Sequence, residues 1–157
     1  MSLPPDLAEA IRHAVADHGG PRGARIEALR LVQKAEGWVS DARLREVAEL
    51  LGATPAEMEN LATFYSLIFR RPVGGTVILL CDGASCWLNG ADAVRDALMA
   101  RLGIGYGGTT PDGRVTLINV ACLGACDRAP AAAVGPDRTI AGPLSPDDLA
   151  PVLEGGA

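Results

Sequence analysis

The sequence predicts an α+β chain in two segments, an N-terminal helical bundle over residues 1–73 and a small α/β domain over residues 74–157. Three observations predict it. Up to about residue 72, apolar side chains recur with helical spacing and are punctuated by Gly and Pro. At Arg70-Arg71-Pro72-Val73-Gly74-Gly75 the character changes, and the continuous apolar run Val77-Ile78-Leu79-Leu80 has the length of a buried strand. Beyond it, strand-length and helix-length stretches alternate, and the chain's four cysteines follow the ends of two predicted strands.

Leu7, Ile11, Ala14 and Val15 make the apolar stripe of a first helix, which Gly19-Gly20-Pro21 ends. Ile26, Leu29 and Val32 start a second, which continues through residues 33–35 and stops at Gly37. Leu44, Val47, Leu50 and Leu51 make a third, closed by Gly52. The fourth has the clearest start: Thr54 as N-cap, Pro55 at the first helical position and Glu57 to complete a capping box, with the helix running through ENLATFY.

In the second segment the first strand delivers Cys81 at its end. Residues 90–102 form a helix with Val94, Leu98 and Leu102 on one face and Gly103 as its stop. GIGYGGTTPDGR is a turn-rich connection to the second strand, Val115–Val120, which ends just before Cys122. Short strands follow at Ala131–Val134 and Thr139–Ala141, and Ser145-Pro146-Asp147-Asp148 caps a last helix through Leu153. The order, β-α-β-β-β-α or close to it, resembles a thioredoxin-like α/β layer. In such a sheet, ligands bind at the edge where both cysteine clusters stand. No repeat or low-complexity segment is present.

A chain of 157 residues is one domain or two small ones, and 48% apolar with 21% charged residues is ordinary for a globular protein. A net charge of −5, with the acidic residues dispersed, argues against nucleic acid as a partner. The opening MSLPPDLAEAIRHAV has Pro4, Pro5 and Asp6 where a secretory signal has a basic and then an apolar stretch. The longest apolar run, Thr76 to Cys81, is too short to span a bilayer, so no direct membrane insertion is expected. The expected location is the cytoplasm, where thiols stay reduced and metal ligation is favoured over disulfides.

The cysteines carry the chemistry. Cys81 and Cys86 lie in CDGASC and Cys122 and Cys126 in CLGAC, a C-x4-C and a C-x3-C pair separated by residues 87–121. Structural zinc sites bring their ligands in tighter C-x2-C knuckles, so zinc is the weaker match. A thioredoxin-type redox pair also requires C-x2-C, which is absent. A 2Fe–2S cluster is broader, each iron takes two thiolates, and the wider loops suit it. All four thiols are deprotonated by such a metal. The formal charge is about −2, and about −3 after one-electron reduction, so the site needs nearby dipoles. Gly83, Ala84, Ser85, Gly124 and Ala125 have side chains small enough for backbone N–H groups to approach the sulfurs, and Gly83 and Gly124 can adopt positive φ where a loop folds around the centre. Such a centre carries one electron and has no open coordination position, so no catalytic residue is expected.

VILLCDGASCWLNGADAVRDALMARLGI, TTPDGRVTLINVACLGACDRAP and ATFYSLIFRRPVG closely resemble the E-subunit family of NADH-quinone oxidoreductase, the small 2Fe–2S component of respiratory complex I. Related proteins are the gamma subunit of NAD-dependent formate dehydrogenases and the small diaphorase subunit of bidirectional hydrogenases. The resemblance runs from about Leu29 to about Leu153 and includes all four family cluster cysteines, Cys81, Cys86, Cys122 and Cys126. It implies a helical N-terminal region followed by a thioredoxin-like 2Fe–2S ferredoxin domain. It also implies a partner subunit that binds FMN and NADH, which this chain does not, and a peripheral place at the inner face of the cytoplasmic membrane through the complex. A structural zinc-binding adaptor is the remote alternative.

Other residues have plainer readings. Trp87 is expected to pack in the core, with shielding of the cluster or an electron path as the special role. Phe64 and Tyr65 either pack, brace the two segments or meet a partner. Arg70 and Arg71 read as a solvated pair that can also face an acidic partner. His13 and His18 stand too far along the chain from the cysteines to be ligands. GIGYGG, residues 103–108, follows a helix instead of a strand, so it is not a dinucleotide fingerprint.

Overall fold

The first segment folds as four helices, and the stop of the second and the starts of the third and fourth are written locally. The computed structural model describes residues 3–154; residues 1–2, which begin the first predicted segment, and 155–157, which end the second, lie outside the described residues. It divides into a unit Met1–Pro72 and a unit Val73–Ala157. In the first unit, α1 is Pro5–Asp17, α2 Arg25–Glu36, α3 Asp41–Leu50 and α4 Pro55–Phe64. Gly37 ends α2 in the left-handed conformation, φ 83. Ser40 caps α3 by accepting the Arg43 N–H at 3.2 Å. Thr54 and Glu57 form the reciprocal capping box at the start of α4.

Ile11, Leu29, Val32, Val39, Val47 and Met58 are fully buried in the core of this unit. Leu50, expected in the α3 stripe, is instead on the solvent side. Leu44, Val47, Ala48 and Leu51 are the buried set, at i, i+3, i+4 and i+7, and a residue at i+6 falls outside that arc. Arg70 is likewise not a solvated partner-facing residue. Its guanidinium bonds the Val39 carbonyl and pairs with Asp41 Oδ1 and Glu59 Oε2, both at 2.7 Å. The Gln33 amide holds the same stretch, donating to the Leu67 carbonyl at 2.9 Å and accepting the Phe69 N–H at 2.6 Å. Arg71 is exposed. Because Asp41 and Glu59 are substantially exposed, the ion pairs are worth little individually. Arg70→Ala is therefore expected to destabilise this unit by only about 1–2 kcal/mol, most of it from the orphaned Val39 carbonyl, as urea unfolding followed by helical circular dichroism would report.

In the second unit, β1 (Thr76–Cys81), α5 (Ala84–Leu88), α6 (Ala91–Leu102), β2 (Val115–Val120), β3 (Ala132–Val134), β4 (Thr139–Ala141) and α7 (Ala150–Leu153) follow in order. The sheet order is β2-β1-β3-β4. β1 and β2 are parallel, from Thr76 opposite Val115 to Cys81 opposite Val120. β3 runs antiparallel to β1 and β4 antiparallel to β3. A parallel pair needs a crossover, and α6 supplies it, packing Val94 and Leu98 with Ile78, Leu80 and Leu117. GIGYGG acquires a structural role: residues 107–110 run along the outer edge of β2. The Gly107 N–H donates to Leu117 at 2.7 Å and the Leu117 N–H to Gly108 at 3.1 Å, so that edge is paired.

Two elements differ from the sequence expectation. The CDGASC loop contains a helix, α5, too short to show a period. The last helix begins at Ala150, after the expected cap: Ser145 accepts the Asp147 N–H and Asp148 the Ala150 N–H, which makes local turns ahead of it.

Candidate metal centre

The parallel register puts the ends of β1 and β2 side by side, and both cysteine pairs leave the sheet there. Cys81 is the last residue of β1, and Cys86 is in α5. Cys122 is in the loop after β2, and Cys126 opens a 3-10 turn, Cys126–Arg128. Cys81 and Cys86 are buried at 3% and 2% exposure, whereas Cys122 and Cys126 are exposed; all four are free thiols. Around the buried pair the side chains are small: Ala91, Ala125 and Ala131, with Leu123, Ala129 and Ile140 partly buried against them.

Burial pushes the Cys86 thiol above its ordinary range. The Ala131 backbone pulls the other way, and the neighbouring Cys81 and Cys126 thiols push it up further. Among the described residues, no three His, Cys, Asp or Glu side chains close on one point to hold a single metal ion. The thiols form a buried pair, Cys81 and Cys86, and an exposed pair, Cys122 and Cys126. Soft thiolates in twos fit a two-iron centre, in which each iron needs two, better than one tetrahedral zinc ion, which needs a cage of four.

The small residues act differently from expectation at one point. Gly124 does take positive φ, 76°, and its N–H donates to Cys122 Sγ at 3.3 Å. Gly83 does not: its φ is −63°, and the need there is for room, because a Cβ would lie 2.6 Å from the Ala121 carbonyl oxygen. The sequence reading misses Ala131, which accepts the Cys81 N–H at 3.1 Å and so holds that thiol's backbone in place. No side-chain signal marks such a residue. Trp87 is 59% exposed and Leu88 75%, so neither is core, against the expectation for Trp87. Phe64, 79% exposed and stacked edge-on against Tyr65, is not core either. His18 bonds the Ala14 carbonyl, and His13 is exposed, in the other unit from the cysteines.

Comparison with known proteins places the chain among iron–sulfur proteins. Residues 11–156 match the family described as Thioredoxin-like 2Fe-2S ferredoxin. The E subunit of NADH-quinone oxidoreductase from Pseudomonas aeruginosa is 45% identical over 145 residues, covering 92% of this chain and 86% of that protein. The Escherichia coli protein of the same name is 43% identical over 146 residues, covering 93% and 87%. Among solved structures, NAD+-reducing NiFe hydrogenase in the H2-reduced state superposes with a TM-score of 0.65 at 26% identity, over 77% of this chain. This chain spans 20% of that hydrogenase chain.

Proposed function

The chain belongs to the thioredoxin-like 2Fe–2S ferredoxin family, with the E subunits of NADH-quinone oxidoreductase as its relatives, and from that premise we propose that Cys81, Cys86, Cys122 and Cys126 hold its cluster. The chain is an electron-transfer subunit of an oxidoreductase complex and carries a 2Fe–2S cluster. When bound, that cluster takes up and gives back one electron at a time. The observation that carries the ligand assignment is the meeting of both thiol pairs at one sheet edge, with the Gly124 N–H donating to the Cys122 sulfur.

The protein's own groups divide the work. Cys81 and Cys86, in a dry pocket of alanines, anchor one side and exclude water from it. Gly124 supplies a fixed dipole against the negative charge that reduction adds. Cys122 and Cys126, on the exposed side, shorten the path to whatever exchanges electrons with the chain.

That partner is a subunit binding FMN and NADH, where the flavin splits a two-electron hydride into single electrons. Two pairs of large apolar side chains left in solvent, Phe64 with Tyr65 and Trp87 with Leu88, support docking to another protein. No helix among the described residues is long and apolar enough to cross a membrane, and in this reading the chain holds a peripheral, cytoplasmic place through its complex. The likeness to the hydrogenase favours a second reading, a diaphorase or formate dehydrogenase subunit. The higher identity over most of both chains favours the NADH-quinone oxidoreductase. Isolation of the tagged full chain from its native cell tests the partnership. A flavoprotein is expected to accompany it, and NADH should reduce the cluster only in that complex. A chain that comes out without a flavoprotein, or binds FMN and oxidises NADH by itself, would overturn the reading.

A further inference from the structure

Resting on the assignment of the four cysteines as cluster ligands, we infer that Gly124 is a positioning residue: its left-handed backbone aims its own N–H at Cys122 and thereby sets how readily the centre accepts an electron. Gly124 has φ 76°, a conformation that L side chains rarely adopt. Its N–H donates to Cys122 Sγ at 3.3 Å. A Cβ placed on it meets no atom within 4 Å. Space therefore does not require glycine at this position, and the backbone conformation does. Gly83 is the opposite case, with an ordinary φ and no room.

The positive φ lets the peptide between Leu123 and Gly124 face Cys122 while the chain still turns back to deliver Cys126 two residues later. Cys122 is exposed, unlike the buried Cys81 and Cys86. Water can replace a lost donor at Cys122, but it is not fixed before the electron arrives. Reduction adds one electron, and part of that charge falls on the thiolate sulfurs, where a fixed N–H stabilises the reduced state more than the oxidised one.

The test uses the full chain and two variants. Gly124→Ala strains the left-handed position, so the loop relaxes and its N–H turns from the sulfur. Gly124→Asn keeps it, because Asn tolerates that conformation. Each protein is first analysed for iron and sulfide, then titrated with dithionite as the one-electron reductant, with the reduced centre followed by electron paramagnetic resonance. Gly124→Ala is expected to disfavour reduction about tenfold, a fall of about 59 mV for a one-electron couple, with shifted g values. Gly124→Asn should stay close to the unsubstituted chain in both. If Gly124→Ala fails to load the centre, a normally loaded Gly124→Asn upholds the inference and an unloaded one overturns it. An unchanged potential and spectrum in Gly124→Ala also overturns it, while leaving the ligand assignment intact. Absence of iron and sulfide from the unsubstituted chain would instead remove the assignment, and this inference with it.

Discussion

Cys122→Ala is expected to lose the native iron–sulfur absorption and to lower the melting temperature of the C-terminal unit, while the N-terminal helices melt as before. The reason lies in where Cys122 stands. It is exposed in a loop, where its sulfur accepts the Gly124 N–H. By packing alone, its truncation should cost no more than a surface substitution, within about 0.5 kcal/mol. Any larger loss must come from the metal. Ligands drawn from the end of β1, from α5 and from the loop after β2 tie separate stretches together only when metal is bound, so binding free energy is folding free energy. The N-terminal unit has its own core, built on Ile11, Leu29, Val32, Val47 and Met58, and should not feel the change. Calorimetry and visible spectra of loaded and cluster-free protein measure this. Cluster-free protein should melt alike with and without the substitution. Equal melting and equal absorption of the loaded forms would mean that Cys122 is not a ligand.

Much of the fold is legible in the sequence because its signals are local. The Thr54–Glu57 capping box and the glycine stops at Gly37 and Gly103 need only their immediate neighbours, and those helix ends fall where the sequence puts them. The apolar run 77–80 and VTLINV declare the two strands that bring the cysteine pairs to one edge. What is not legible depends on residues distant in sequence, or on backbone atoms. Arg70 finds its partners at Val39, Asp41 and Glu59 only after the helices pack. Residues 107–110 look like linker, yet they close the edge of β2, because most of the pairing is made by peptide groups, with the Thr109 and Thr110 hydroxyls adding to it. At the site, the thiols are legible and their asymmetry is not: burial of Cys81 and Cys86 against exposure of Cys122 and Cys126 is a property of the packed unit. Trp87 illustrates the limit of residue preference. A five-residue helix at the rim of a small domain has no second layer to cover it, so even tryptophan stays in solvent.

The second large effect is the metal content itself. Both thiol pairs are free and leave the sheet at one edge, and the C-x4-C and C-x3-C spacings suit two irons with two thiolates each better than one zinc ion. The full chain, purified without air, is expected to be reddish-brown and to contain close to two iron atoms and about two acid-labile sulfides per chain. Dithionite should bleach it by one electron per chain. Determination of iron, zinc and acid-labile sulfide in the same sample tests the central claim most directly: iron and sulfide in equal amounts near two per chain is the predicted result, and stoichiometric zinc without sulfide in a colourless protein would contradict it.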